Sequence, residues 1–154
     1  IGIQLSSAGV LPTDGSGTES NNTKDLGSSS HRWKDIYAAG NVYDSKGNLR
    51  DIPMNYQTSA TTLSSADAGK VVAVTTGGWV IPANVFSTGN TITLLNSSSS
   101  DQTINATALT TLYNTADGAD VKSSTLTLGA RSTATIWMGN GTVGYIQASA
   151  LTVS

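Results

Sequence analysis

From Tyr56 onward the chain repeats one local pattern. Short runs with every second residue apolar are closed by turn residues about every ten positions. Thr91-Ile-Thr-Leu-Leu, Ser124-Thr-Leu-Thr-Leu and Thr133-Ala-Thr-Ile-Trp alternate, and Lys70-Val-Val-Ala-Val-Thr-Thr is an apolar run ended by Gly77-Gly78. Turn signals stand at Ser87-Thr-Gly-Asn, Ser97 to Asp101, Ala116-Asp-Gly-Ala-Asp and Gly139-Asn-Gly. Strands are expected near 56–58, 70–76, 79–81, 91–95, 102–105, 109–113, 124–128, 132–138 and 142–147. Many short strands with regular turns predict a mainly β fold, with residues 54–154 as a β-sandwich or jelly-roll-like domain. No repeat of fixed period points to a propeller or solenoid. Composition agrees: only 12% of residues are charged, about half the usual fraction, and Ser, Thr, Gly and Asn fill the gap.

The same composition narrows the chemistry. A net charge of −2 offers no basic surface for nucleic acid. No apolar run is long enough to span a membrane, so no membrane insertion is expected. Without cysteine, disulfides and thiolate metal sites are impossible. A chain starting at Ile1 rather than Met is expected to be a piece of a longer protein or a processed product.

Residues 1–53 read differently and are taken as a separate N-terminal segment. Ile1, Ile3 and Leu5 alternate as in a short strand, and Thr13 to Thr23 read as a polar loop. Ser28, Ser29 and Ser30 offer oxygens to a helix start. Trp33, Ile36 and Tyr37 then share one face of a helix about two turns long, which Gly40-Asn41 would end in a left-handed stop. A helix that short is marginal alone, so something must cover Trp33 and Tyr37. An ordinary core and neighbouring copies of the chain are both open at this point. Asp44-Ser45-Lys46-Gly47 predicts a hairpin turn between Val42-Tyr43 and Asn48 to Ile52.

A catalytic constellation is hard to assemble. His31 is the single histidine and stands beside the capping serines, but a triad needs a third, orienting group. Three copies meeting on an axis are what it would take for His31 to hold a metal. Glu19 is the sole glutamate, and Asp117 and Asp120 sit in a glycine-containing turn, a poor start for a two-carboxylate glycosidase. No catalytic, cofactor-binding or metal residues are assigned, and the chain is read as non-enzymatic. Trp137 and Tyr145 lie in apolar-rich strands and are expected in the core. Tyr113 lies near a loop and is the candidate receptor contact.

Asp25-Leu-Gly-Ser-Ser-Ser-His-Arg-Trp-Lys-Asp-Ile-Tyr, followed by Gly40-Asn-Val-Tyr and Gly47-Asn-Leu-Arg, resembles a motif of tail-fibre and appendage proteins of tailed bacteriophages. Ala66-Asp-Ala-Gly-Lys, the Ile81-Pro82 step, Gly89-Asn-Thr-Ile-Thr-Leu-Leu-Asn and Leu126-Thr-Leu-Gly-Ala-Arg resemble a C-terminal module of such fibres. Together these cues touch most of residues 24–138. The resemblance implies a homotrimer with an intertwined, shaft-like N-terminal segment, located in the virion alongside other virion proteins and serving host adsorption. In that setting Leu26, Trp33, Ile36 and Tyr37 are expected to face the trimer interior, and the β-domain to meet a host-surface glycan. The alternatives are a carbohydrate-binding module, or a polysaccharide depolymerase with a site between subunits.

Overall fold

The computed structural model describes residues 2–6, 9–14, 16–19, 25–45, 47–49 and 51–154. Expectations placed on Ile1 and Lys46 fall outside these residues. The chain divides into two compact units, Ile1–Gly40 and Asn41–Ser154.

In the first unit, β1 (Gly2–Ser6) pairs antiparallel with β2 (Gly9–Thr13). Asp14 organises the turn that follows, its Oδ1 accepting the N–H groups of Ser16 and Thr18 at 2.8 and 2.9 Å. The expected helix over Trp33–Tyr37 is absent: the only helical turn among the described residues is a 3-10 turn at Ser65–Asp67. The serine cap does form. Ser28 Oγ accepts the His31 N–H at 3.0 Å, and the Ser28 N–H donates to the His31 carbonyl at 2.8 Å. These bonds close one turn and no helix follows. Gly40 and Asn41 do not take the left-handed conformation expected of a helix stop. The physical reason is that two turns cannot offset helix nucleation unless a packed face adds to them, and Trp33, Ile36 and Tyr37 are all exposed.

The second unit opens with the expected hairpin. β3 (Tyr43–Asp44) pairs with β4 (Gly47–Asn48), and the Leu49 N–H adds a bond to the Val42 carbonyl at 2.8 Å. The rest is two facing sheets. In chain order the strands are β5 (Met54–Gln57), β6 (Thr61–Thr62), β7 (Val71–Val74), β8 (Trp79–Val80), β9 (Thr91–Asn96) and β10 (Gln102–Asn105). They continue as β11 (Thr111–Asn114), β12 (Leu126–Leu128), β13 (Thr133–Met138), β14 (Val143–Ala148) and β15 (Leu151–Val153). Every expected strand has a counterpart; β6 and β15, two and three residues long, were not anticipated.

One sheet has the order β11-β14-β13-β9-β7-β5 and the other β15-β12-β10-β8-β6. From β5 to β12 the chain changes sheet at every strand. β12 pairs antiparallel with β10, but from β5 to β10 strands two apart in sequence return to the same sheet pointing the same way. This makes β5–β7, β7–β9, β6–β8 and β8–β10 parallel pairs. The mixed pairing departs from a jelly roll, which is antiparallel.

Alternation sorts the side chains. Ile92 and Leu94 of β9, Ile136 and Met138 of β13, Leu126 and Leu128 of β12 and Ile146 of β14 fill the space between the sheets. Each such residue contributes about 1.5–3 kcal/mol on burial. Trp79 of β8 crosses the core and donates its Nε1–H to the Val72 carbonyl of β7, in the opposite sheet, at 3.1 Å. The preceding turn needs glycine. Gly78 has φ +74°, and a Cβ there would lie 2.0 Å from the Thr103 carbonyl oxygen.

Two buried polar groups hold the ends of strands. Asn96 has no exposed surface; its Nδ2 faces the carbonyls of Ser100, Leu128 and Gly129 at 2.8, 3.0 and 2.9 Å. Its Oδ1 accepts the N–H and hydroxyl of Ser98. Asp67 ends the 3-10 turn. Its Oδ2 accepts the N–H and hydroxyl of Ser64 at 2.8 and 2.9 Å, and its Oδ1 accepts the Asn55 amide at 2.8 Å. Burial pushes this carboxyl up, but the two Ser64 donors, the Asn55 amide and the Lys70 charge together hold it below the ordinary carboxylate value.

Candidate binding face

The expectation that Trp137 and Tyr145 belong to the core is overturned. Both are on the outer face of the six-stranded sheet, 39% and 41% exposed, while Ile136, Met138 and Ile146 point inward beside them. The phase of the alternation decides this. In β13, Trp137 is in step with Thr133 and Thr135, and those threonines mark the outer face. In β14, Tyr145 is in step with Gln147, and the inward positions are Gly144 and Ile146. Reading phase rather than local hydrophobicity finds both rings from the sequence.

Register places the rings side by side. Tyr113 of β11 is opposite Tyr145, Tyr145 is opposite Trp137, and Trp137 is opposite Thr91 of β9. With strands about 4.8 Å apart, the three aromatic positions span roughly 10 Å across the sheet. The rings of Tyr113 and Tyr145 stack with centroids 5.5 Å apart and planes at 29°. Gly139 gives Tyr145 room: a Cβ there would come within 3.1 Å of the ring. Two of the rings are thus held before any ligand arrives.

The next row across the same face runs Gln147, Thr135, Thr93 and Val71. The Gln147 amide and the Thr93 and Thr135 hydroxyls make no side-chain hydrogen bond among the described residues. A shallow depression of about 240 Å³ lies here, lined by Thr133, Thr135, Gln147, Ala148 and Ser149. A second, of about 360 Å³, shares Gln147 to Ser149 and extends to Asn114, Thr115 and Leu151. None of the six strands contains a charged residue. The strands of the opposite sheet carry no outward aromatic ring, since Trp79 is buried.

The other candidate residues are placed as follows. Tyr113 is 36% exposed and joins the aromatic row. Leu26, Trp33, Ile36 and Tyr37 are exposed in the first unit, Trp33 by 62% and Tyr37 by 93%. His31 does meet serine: its Nδ1 is 3.0 Å from Ser30 Oγ and 3.4 Å from Ser28 Oγ. The cluster is exposed, and among the described residues no carboxylate bonds the imidazole. Asp117 and Asp120 build their loop. Asp117 accepts the Ala119 N–H, and Asp120 accepts the N–H groups of Leu112 and Lys122 at 3.0 and 3.2 Å. The Leu112 N–H, followed by that of Lys122, holds the Asp120 carboxyl below its ordinary value. Among the described residues no three His, Asp or Glu side chains converge as a metal site would require. Compared with known family models, curated proteins and solved structures, the chain matches none.

Proposed function

We propose that the chain is a non-enzymatic assembly-and-display segment of a virion appendage of the tailed-bacteriophage kind. Its N-terminal segment joins copies into a homotrimer, and its β-sandwich is presented for attachment to a host cell surface. The observation that carries the assembly reading is the exposure of Leu26, Trp33, Ile36 and Tyr37 within one short stretch. Large apolar side chains clustered on a surface mark association sites. The motif of residues 25–37 supports the virion setting. The sandwich, by contrast, has its own complete core, which suits a module carried at the end of an assembly. Three copies held together raise the effective concentration at a surface, so weak individual contacts suffice for attachment.

Hydrolysis is the weaker reading, because Asp117 and Asp120 are already bonded to their own loop. Light scattering on the purified chain at micromolar concentration tests the assembly. The expected result is a trimer mass that falls towards the monomer in Trp33→Ala. A stable monomer, or a Trp33→Ala trimer of unchanged stability, would overturn it. Antibody labelling of virions in the electron microscope tests the location.

A further inference from the structure

We infer that the outer face of the six-stranded sheet binds an uncharged glycan, with Trp137, Tyr145 and Tyr113 as the stacking row and Gln147 and Thr135 as the polar row. This deepens the adsorption reading and rests on it for its biological setting.

Three features select the ligand. The first is the shape of the row. Half-exposed aromatic side chains in register on three neighbouring strands offer an apolar strip, against which the C–H face of a pyranose ring can pack. The strip is long enough for two linked sugar rings. The second is the free hydrogen-bonding capacity beside it. The Gln147 amide both donates and accepts, and the Thr135 hydroxyl does the same. Neither is used within the chain among the described residues. Sugar hydroxyls need that mixed character; an apolar peptide or a lipid tail would leave these groups unpaired. The third is charge. With no Lys or Arg on the six strands, neither the aromatic row nor the polar row holds a cation to offset the desolvation of a carboxylate, sulfate or phosphate. A neutral sugar is therefore preferred over an anionic one. The stacking of Tyr113 on Tyr145 lowers the ordering entropy lost on binding.

The test uses the full 154-residue chain. It is titrated with neutral gluco-, manno- and galacto-oligosaccharides and with oligogalacturonate as the anionic probe, read by calorimetry and tryptophan fluorescence. The expected result is saturable binding of at least one neutral series, with oligogalacturonate bound at least tenfold more weakly. Trp137→Ala should weaken binding about tenfold or more, since 1.4 kcal/mol of lost stacking is a factor of ten. Trp137→Phe should recover most of it. Gln147→Ala, which leaves the aromatic row intact, should weaken binding severalfold, and Thr152→Ala on the opposite sheet should change nothing. Far-UV circular dichroism checks the fold of each variant, and Gln147→Ala carries the test if Trp137→Ala does not fold.

Absence of binding to every neutral series at millimolar concentration would overturn the proposal. So would a preference for the anionic probe. So would a Trp137→Ala variant that changes the oligomer mass and leaves binding intact, which would make this face a contact between copies. The two readings fail separately. A trimer that binds no sugar sinks this inference alone, and a monomer that binds sugar through Trp137 sinks the assembly alone.

Discussion

Replacing Asn96 with alanine removes the group that ties the end of β9 to the loops before β10 and after β12. Its Nδ2 carries two hydrogens and faces three carbonyls, so one bond is shared. After truncation the Gly129 carbonyl keeps the Ser132 hydroxyl and the Ser100 carbonyl keeps the Ser98 hydroxyl. The fully buried Leu128 carbonyl loses its side-chain donor, and the Ser98 N–H loses the Oδ1 acceptor, so the two Nδ2 hydrogens and this N–H account for three lost bonds. At roughly 1 kcal/mol for each of three bonds lost, the variant should be about 3 kcal/mol less stable. For a unit of this size that is a fall in Tm of about 12 °C. Asn96→Asp separates hydrogen bonding from side-chain volume. It keeps the shape and the Ser98 bonds but turns a buried carboxylate oxygen towards the three carbonyls. It should therefore be worse than alanine at pH 7. The sign with pH follows: the buried carboxyl titrates above its unfolded value, so the native state holds the proton more tightly. The variant is thus most stable below about pH 4 and weakens as pH rises through the folded value. Urea unfolding followed by the emission of buried Trp79 measures all three proteins. A loss under about 1 kcal/mol in Asn96→Ala, or Asn96→Asp equal to wild type at pH 7, would refute the account.

Gly78→Ala should cost several kcal/mol or prevent folding, because its Cβ meets the Thr103 backbone. Gly118→Ala, with φ +77° and open space around it, should cost only about 1–2 kcal/mol; equal losses in the two melts would contradict the close approach at Gly78. Trp79→Phe should lose about 1–2 kcal/mol in urea unfolding with the bond to Val72, together with the emission from a buried indole. Asp67 should stabilise the fold fully above about pH 4 and progressively less below it, because its carboxyl is held below the unfolded value. The gap in Tm between wild type and Asp67→Asn should therefore be constant near neutrality and shrink in acid; a gap that widens in acid would show that the carboxylate is not the stabilising form.

Much of the sandwich was legible before any coordinates. Thr91-Ile-Thr-Leu-Leu and Thr133-Ala-Thr-Ile-Trp announce strands because successive side chains point to opposite faces. The same rule also fixes the surroundings of individual side chains. Asn96 is in phase with Ile92 and Leu94, which marks it as buried, and Trp137 is in phase with Thr135, which marks it as outward. Local hydrophobicity hid both facts. β6 and β15 escaped because two or three residues cannot display a period. At Trp33–Tyr37 the periodicity was helical, yet spacing shows only which side chains would share a face. It says nothing about whether a packed surface is there to stabilise so short a helix.

The sequence by itself determined where the longer strands of the sandwich lie and which residues of each strand share a face, because both follow from the two-residue repeat of an extended backbone. Only the tertiary structure decided which strands are neighbours. The change of sheet at each strand from β5 to β12 makes β5, β7 and β9 parallel neighbours. It also brings β11 beside β14, so that Tyr113 stacks on Tyr145 across a long stretch of chain. Pairing of this kind depends on how the whole chain closes around one core, and no short window of residues contains that information.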